Sequence, residues 1–288
     1  MLAALGAAAL AVAVLLGERK LERRLEVRVV PVPYAREPAA LALGKYLFQT
    51  RGCAECHGPG GAGRVMIDDA NGLYVKTPNI TAGLGGVTAA YTEADWVRAI
   101  RHGVSPKGHA LVIMPSEDYN RLNDADFAAL VAYSRSLPPA AGGAAEVRFP
   151  FFMKALYAVG AIRDAAEKID HRKPPSTPVA VAATVEHGAY VANMCIGCHG
   201  AGLAGGPIPG TPPDWPAAAN LTPGEGSAMV RYDTPGKFTA MMRGGKRPDG
   251  SAVSKVMPFA SLAALNDVDL EAMYAYLQTL PARRMGER

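Results

Sequence analysis

The chain begins with an apolar run that carries no charge. Residues 2–17 contain only apolar side chains and glycine, and Glu18, Arg19 and Lys20 follow directly. Together with Met1, the run lies at the lower end of the roughly 17–25 residues that span a bilayer as a helix. A cleavable signal peptide typically has basic residues before its apolar run. No basic residue precedes the run here. We therefore predict a membrane anchor, or an uncleaved signal, over residues 1–17.

The next segment, residues 18–36, is predicted to lie beside the membrane. Leu21 and Leu25 stand one turn apart between charged residues, which predicts a short amphipathic helix over 18–30. Pro31 and Pro33 would end this helix. The segment carries basic residues on the side that the prediction puts outside, against the positive-inside tendency. These residues are Arg19, Lys20, Arg23 and Arg24.

Two later stretches show the same order of helical patterns. In residues 37–138, Pro38 can open a first helix, and a closing helix over 123–137 would be capped by Asn123 or Asp124. Residues 185–288 repeat this order, with matching residues 141 to 144 positions later. We therefore predict two tandem helical modules that arose by internal duplication.

A linker, residues 139–184, separates the two modules. Its middle, residues 149–160, is strongly apolar, and its end, residues 172–178, is rich in proline and is predicted to be extended. The apolar part has two interpretations. It could form a helix packed between the two modules, or it could form a patch that lies on a membrane or on a partner subunit.

Composition bounds the function without defining it. Charged residues make up 19% of the 288 residues and hydrophobic residues 49%, which indicates a folded chain of about two domains. The net charge of +4 is too small to indicate nucleic-acid binding. All 4 cysteines lie in two short motifs, so the sequence offers no disulfide framework.

Both motifs have the form Cys-x-x-Cys-His, which is the attachment site of c-type haem. The two thiols form thioethers to the haem, and the histidine supplies a nitrogen ligand to the iron. A zinc site and a thioredoxin-like redox pair are alternatives, but neither requires a histidine directly after both pairs. We therefore predict two covalently bound haem c groups. The first motif is Cys53, Cys56 and His57, and the second is Cys195, Cys198 and His199.

This cofactor also indicates a compartment. In bacteria, haem of this type is attached outside the cytoplasmic membrane. We therefore expect the protein at the bacterial cytoplasmic membrane, with both haem modules on the periplasmic side.

The sixth iron ligand is predicted to be a methionine in each module. Met114 and Met257 occupy matching positions, and a proline follows each of them, which favours a loop over a helix. His102 and His109 are weaker candidates, because the second module has no histidine at the matching positions. His171 and His187 are expected to be solvated.

These features together resemble class I cytochromes c. Shared with that family are a first helix with glycine, the haem motif, a loop methionine and a closing helix with an aromatic residue. The residues concerned outside the motifs are Gly44 and Gly188, Met114 and Met257, and Tyr133 and Tyr276. The resemblance implies an all-α fold, with two tandem cytochrome c domains behind the N-terminal anchor helix. It also implies that the first and last helices of each domain cross at the glycine.

The same family uses the carbonyl of a loop proline to orient the haem histidine. Pro78 is the matching residue in the first module, and Ala219 stands at that position in the second. The segments 148–151 and 188–191 are further similar to multi-haem c subunits of membrane-bound dehydrogenases. Those subunits often carry three haems, whereas this chain has motifs for two.

The expected function is that of a membrane-tethered di-haem cytochrome. It would relay single electrons between a membrane or periplasmic oxidoreductase complex and its acceptor, without catalytic residues of its own. The expected partners are other subunits of a membrane redox complex, electron donor and acceptor proteins, and the membrane itself, with no nucleic acid. The alternatives are a di-haem enzyme such as a peroxidase, which needs a displaceable sixth ligand and a distal acid or base, and a structural or sensory subunit.

Overall fold

The computed structural model describes residues 1–211 and 215–287 as a helix-rich chain with one small sheet. The helices are α1 (Leu2–Glu22), α2 (Pro38–Thr50), α3 (Cys53–His57), α4 (Glu93–His102), α5 (Asp124–Ser136), α6 (Phe151–Ala158), α7 (Ala165–Lys168), α8 (Val185–Ala192), α9 (Ile196–His199), α10 (Pro235–Gly244), α11 (Phe259–Leu262) and α12 (Asp267–Thr279). The strands are β1 (Val65–Asp68), β2 (Tyr74–Lys76) and β3 (Glu146–Arg148).

The chain divides into two compact units that do not follow the sequence repeat. Unit 1 consists of Met1–Tyr34, Cys56–Asn120 and Ser134–Lys173. Unit 2 consists of Ala35–Glu55, Arg121–Tyr133 and Pro174–Arg288. Helix α2 and most of α5, which the sequence assigns to the first module, thus belong to unit 2.

Helix α1 of unit 1 is long and apolar enough to cross a membrane, by length and composition. The mean hydropathy of its most apolar 18-residue window is 1.7, and 6% of that window is buried. The helix ends at Glu22, because Arg23 is extended, with φ −60° and ψ 149°. The predicted amphipathic helix over 18–30 is therefore wrong beyond Glu22. There the Leu25 N–H donates to the carbonyl of Gly108, at 2.8 Å, instead of to a helical partner.

A three-stranded antiparallel sheet, in the order β1-β2-β3, lies in unit 1. The prediction of an all-α fold missed it. A turn joins β1 to β2, with Gly72 at φ 88°. The carboxylate of Asp69 accepts from the N–H groups of Asn71 and Leu73, at 2.9 Å each. The sequence did carry a signal for this turn, since Asn-Gly between apolar residues favours a hairpin.

The core of unit 1 joins this sheet to the apolar part of the linker. It consists of Leu73, Val75, Phe149, Met153 and Tyr157, with Leu21 of α1 packed against it. Helix α6 also packs directly on α1. A Cβ added to Gly17 would stand 2.1 Å from the carbonyl oxygen of Lys154, so only glycine permits this close approach.

Unit 2 contains two pairs of crossing helices, as the resemblance implies. A Cβ on Gly44 of α2 would lie 2.0 Å from the carbonyl oxygen of Ala129 in α5. A Cβ on Gly188 of α8 would lie 1.9 Å from the carbonyl oxygen of Ala272 in α12. Both crossings therefore bring helix backbones together at a glycine, which confirms the expectation.

Reciprocal hydrogen bonds link these two pairs of helices inside unit 2. Tyr46 of α2 donates its hydroxyl to the carboxylate of Asp269 in α12, at 2.7 Å. Tyr190 of α8 donates its hydroxyl to the carboxylate of Asp126 in α5, at 2.6 Å. Burial raises the pKa of both phenols far above their usual range. Both therefore remain protonated donors.

The caps of the two closing helices repeat in the same way. The side chain of Asn123 accepts from the N–H of Asp126 at 2.9 Å, and that of Asn266 accepts from the N–H of Asp269 at 2.8 Å. Of the two cap candidates in the first module, the structure therefore selects Asn123. The N–H groups of the two asparagines donate in turn to the tyrosine hydroxyls.

Asp269 has further buried neighbours besides Tyr46. Its carboxylate lies 2.7 Å from Nε2 of His187 and 3.7 Å from the guanidinium of Arg51. His187 is only 4% exposed. The expectation that His187 is solvated is therefore wrong, because this histidine reaches a buried carboxylate on the neighbouring helix.

Candidate haem sites

Each haem motif folds as a short helical segment. Residues Cys53–His57 form α3, and in the second module a 3-10 turn over Asn193–Cys195 leads into α9. In a helix, positions i, i+3 and i+4 share one face. The spacing Cys-x-x-Cys-His therefore places both thiols and the imidazole on the same side of the segment. The cysteine side chains are half-buried, except for Cys198, which is exposed.

Both motif histidines are oriented by a backbone carbonyl. Nδ1 of His57 donates to the carbonyl of Pro78 at 3.0 Å, and Nδ1 of His199 donates to that of Ala219 at 2.8 Å. Because Nδ1 then carries the proton, Nε2 is the atom that can bind iron. The first module thus meets the expectation from the resemblance. The second meets it without proline, since a backbone carbonyl is available from any residue.

Burial lowers the pKa of His57, and the hydrogen bond that its ring donates to the carbonyl of Pro78 opposes this effect only in part. The imidazole is therefore neutral near neutral pH. A neutral imidazole is the form that ligates a metal, so this surrounding suits an iron ligand.

Glycines allow these carbonyls to approach the motifs. Gly63 and Gly205 have φ values of 77° and 69°, in the left-handed region. Their N–H groups donate to the carbonyls of His57 and His199, at 2.9 Å each. A Cβ at Gly63 would lie 2.4 Å from the carbonyl oxygen of Thr77, so a larger residue would displace the loop that carries the accepting carbonyl.

Buried asparagines fix the two loops that supply these carbonyls. The amide of Asn79 donates to the carbonyl of Ala140 at 2.8 Å, and the amide of Asn220 donates to that of Arg283 at 2.9 Å. Each side-chain oxygen also accepts from the N–H two residues further on, at 2.9 Å. Both side chains are fully buried, at 0% exposure. The similarity of residues 78–81 to residues 219–222 in the sequence reflects this shared support.

The two candidate methionine ligands lie on the same type of turn. The N–H of Ser116 donates to the carbonyl of Met114 at 2.8 Å, and that of Phe259 donates to the carbonyl of Met257 at 2.9 Å. The intervening prolines have φ −79° with ψ 63° in the first module and 69° in the second. These values define inverse γ-turns, for which proline supplies the required φ. Both methionines are thus on loops, as predicted, and both are half-buried.

The surroundings of these turns anchor them to helices of their own unit. In unit 1, the hydroxyl of Ser116 donates to the carbonyl of Ala99 in α4, at 3.1 Å. In unit 2, Cys195 and Met257 both border the main hydrophobic cluster, which includes Val191, Met242 and Leu270. A haem motif and a methionine turn therefore adjoin one core in unit 2.

The weaker histidine candidates have other contacts. Nδ1 of His102 lies 3.0 Å from Nδ1 of His171, and Nε2 of His171 donates to the carbonyl of Ala166 at 2.9 Å. Burial, followed by the charge of His171, lowers the pKa of His102 to about 4. His109 pairs through its backbone with Arg24. Sequence reasoning missed the His102–His171 pair, since its members are far apart in the chain.

Comparison with known proteins agrees with this geometry. Residues 39–133 match the family described as cytochrome c oxidase, cbb3-type, subunit III, and residues 185–281 match the family described as cytochrome c. The chain therefore carries two cytochrome c domains. It is a di-haem c-type cytochrome, with two covalently bound haem c groups on its two motifs.

Several curated proteins are similar to this chain. A diheme cytochrome c-type protein of Cereibacter sphaeroides is 29% identical, over 96% of this chain and 97% of its own length. The fructose dehydrogenase cytochrome subunit of Gluconobacter japonicus is 26% identical, over 88% of this chain and 55% of its own length. The cytochrome c subunit of a quinone alcohol dehydrogenase from Gluconacetobacter polyoxogenes is 37% identical, over 35% of this chain and 22% of its own length.

The chain thus spans about a fifth to a half of the length of the dehydrogenase relatives. These similarities place it among c-type cytochromes that resemble cytochrome subunits of dehydrogenases, and they support a role in electron transfer.

Proposed function

We propose that this protein is a membrane-tethered electron relay, which passes single electrons from an oxidoreductase complex to an acceptor. One observation carries the proposal. Both modules present the same set of ligand groups, with the histidine oriented by a backbone carbonyl and the methionine on an inverse γ-turn. Two saturated irons with nitrogen and sulfur ligands suit electron transfer, because sulfur ligation raises the potential and leaves no open position.

Each bound haem supplies a one-electron change at its iron, and the chain supplies the binding and the surroundings. The cysteines would hold the haem covalently, and the histidine and methionine would bind its iron. In this proposal haem 1 is held by Cys53, Cys56, His57 and Met114, and haem 2 by Cys195, Cys198, His199 and Met257. Catalytic acid, base or nucleophile residues have no part in such a relay.

The proposed anchor is α1, with both haem modules on the periplasmic side of the bacterial cytoplasmic membrane. The basic residues after the apolar run argue against this orientation, but two of them form ion pairs within unit 1. Lys20 lies 2.9 Å from the carboxylate of Glu167, and Arg23 lies 2.7 Å from that of Asp164. Ion pairing offsets their charge, which weakens the conflict with the positive-inside tendency.

The proposed partners are the other subunits of a membrane redox complex. The relatives named as cytochrome subunits of fructose and alcohol dehydrogenases support this class of partner. Purification from detergent-solubilised membranes should therefore recover the chain together with further subunits, which mass spectrometry would identify. A chain that purifies alone and is extracted by alkaline carbonate would contradict both the partners and the anchor.

The ligand assignment is tested by replacing the methionines separately. Met114→Ala should convert only haem 1 from a low-spin to a high-spin ferric haem, and Met257→Ala should convert only haem 2. The reason is that each change would remove one sulfur ligand and leave the histidine of that motif in place. Optical and electron paramagnetic resonance spectra of the purified holoprotein report both spin states.

Met66→Ala is the matched control, because Met66 lies on β1 and is 37% exposed. It should leave both spectra unchanged. Unchanged spectra in either ligand variant would refute the assignment of that methionine. A high-spin ferric haem in the unmodified protein, with rapid binding of cyanide, would instead favour a di-haem enzyme.

A further inference from the structure

Helix α6 is apolar on its exposed side as well as on its buried side. Met153 and Tyr157 face the core of unit 1, at 8% and 0% exposure. Four large apolar side chains on and just after the helix are exposed by 43% to 72%. We name them the α6 patch: Phe151, Phe152, Leu156 and Val159. A helix that is apolar all round is normally covered on every side, so the patch indicates a further contact surface.

The middle of α6 meets α1 at the point where the apolar run of α1 ends. Gly17 packs on the backbone of Lys154, and Nζ of Lys154 lies 2.7 Å from the carboxylate of Glu18. Three residues after Gly17 along α1, Nζ of Lys20 donates to the carbonyl of Tyr157 at 2.8 Å. These contacts therefore fix the position of α6 along the axis of α1, at the point where the residues of α1 change from apolar to charged.

This position corresponds to the interfacial layer of a bilayer. A helix rises about 1.5 Å per residue, so the patch residues lie within about 8 Å of Lys154 along α6. The headgroup layer on each side of a bilayer is about 5–8 Å thick. If α1 leaves the membrane at Gly17, the patch therefore lies within or next to the headgroup layer in any orientation of α6.

Ion pairs hold α1 and unit 1 in one arrangement at this junction. Arg23 binds both Asp164 and Glu167, at 2.7 Å and 3.1 Å, and the ammonium of Lys20 lies 4.3 Å from the ring centre of Tyr157. The end of α1 is therefore attached to the rest of unit 1 by side-chain contacts as well as by the backbone. The patch consequently keeps a constant position relative to the anchor.

The apolar surface of the patch continues on α1. Leu15 and Leu16 are 59% and 51% exposed, two residues and one residue before Gly17. In a membrane-tethered protein lipid covers these leucines, and phenylalanine and leucine are typical of the apolar face of a helix that lies in the membrane interface. Arg19 and Arg163 are exposed in the same region and suit anionic headgroups.

We propose that the α6 patch inserts into the interfacial layer of the same leaflet from which α1 emerges. This proposal rests on the membrane tether proposed above. Helix α6 then acts as a second membrane contact, which lies in the plane of the surface while α1 crosses the bilayer. The two contacts together hold unit 1 against the membrane surface, whereas α1 alone would act only as a tether.

Photo-crosslinking in intact membranes tests this contact in the full holoprotein. p-Benzoylphenylalanine replaces Phe152 in the patch, Val12 in the apolar run of α1, or Leu84, an 84% exposed residue in a loop of unit 1. After illumination, mass spectrometry detects lipid adducts, and haem-stained gels detect crosslinks to other proteins. We expect a lipid-adduct yield at position 152 similar to that at position 12 and several-fold above that at position 84.

The outcomes separate the patch from the tether. Lipid adducts at position 12 but not at position 152 would overturn the patch contact and leave the tether standing. A discrete protein crosslink at position 152 would show that a partner subunit covers the patch, which also overturns the proposal. Loss of lipid adducts at positions 12 and 152 together would overturn the tether itself. Equal yields at positions 84 and 152 would show no specific contact.

Discussion

Replacing Gly188 by alanine should destabilise unit 2, because α8 has no room for a side chain at this position. The added Cβ would lie 1.9 Å from the carbonyl oxygen of Ala272 and 2.8 Å from the Cβ of Tyr276. Ordinary contacts of a Cβ are longer than either distance. The nearest obstacle is backbone of α12, which cannot rotate away as the end of a flexible side chain could. The two helices must therefore separate.

Two opposing terms set the size of the effect. Overpacking of this kind costs about 3 kcal/mol, at the upper end of the usual range, since helix backbone must move. Alanine in a helix gains about 1 kcal/mol over glycine through its higher helix propensity. We therefore expect the free energy of unfolding to fall by about 2 kcal/mol. A change of that size multiplies the unfolded fraction by about 30.

Urea unfolding of the holoprotein, followed by far-UV circular dichroism and Soret absorbance, measures this loss. Gly44→Ala repeats the test in the other helix pair, where the Cβ would lie 2.0 Å from the carbonyl oxygen of Ala129, and should cost a similar amount. Gly236→Ala is the control, because α10 leaves its Cβ position open to at least 4 Å. It should be neutral or slightly stabilising. If Gly188→Ala behaved like Gly236→Ala, the close crossing would be refuted.

Two further predictions concern ionisable side chains. Asp269→Asn should lower the free energy of unfolding by about 3 kcal/mol, because this buried carboxylate lies beside Arg51. Asp126→Asn, at the matching and more exposed position, should lower it by about 1 kcal/mol. Equal losses in urea unfolding would contradict this difference. The pKa of His102 is about 4 in the folded protein, against its ordinary value of 6.5. As the pH falls below about 6.5, the unfolded state therefore binds a proton before the folded state does. The free energy of unfolding is thus highest above about pH 6.5 and decreases towards pH 4. After allowance for partial exposure the loss is about 1–2 kcal/mol, and His102→Gln should remove it from the pH profile of unfolding.

The elements that the sequence predicted correctly are those set by local chemistry. Pro38 at the first position opens α2, and Asn123, one of the two predicted candidates, caps α5. The glycine crossings followed from the resemblance, and the backbone contacts at both sites agree with it. Motif spacing also defined the haem attachment, since the residues involved are neighbours in the chain.

The elements that sequence reasoning missed depend on distant partners. Strand β2 pairs with β3, in which Arg148 lies opposite Tyr74, and no pattern near either residue indicates the pairing. The amphipathic pattern after Glu22 was a valid local signal, but hydrogen bonding of Leu25 to Gly108 replaced the helix there. In both cases a tertiary contact outweighed a weak local preference.

The reciprocal tyrosine–aspartate pairs show what the duplication achieves in the fold. The repeat makes Tyr46 and Tyr190 equivalent, yet each donates to the aspartate of the other repeat instead of its own. The same contact made in both directions is the property of an isologous, two-fold interface. One module with both groups is complementary to a second copy of itself, so duplication within one chain supplies both halves. This reciprocity explains why α2 and most of α5 cluster in unit 2 with the second repeat, although the sequence groups them with the first.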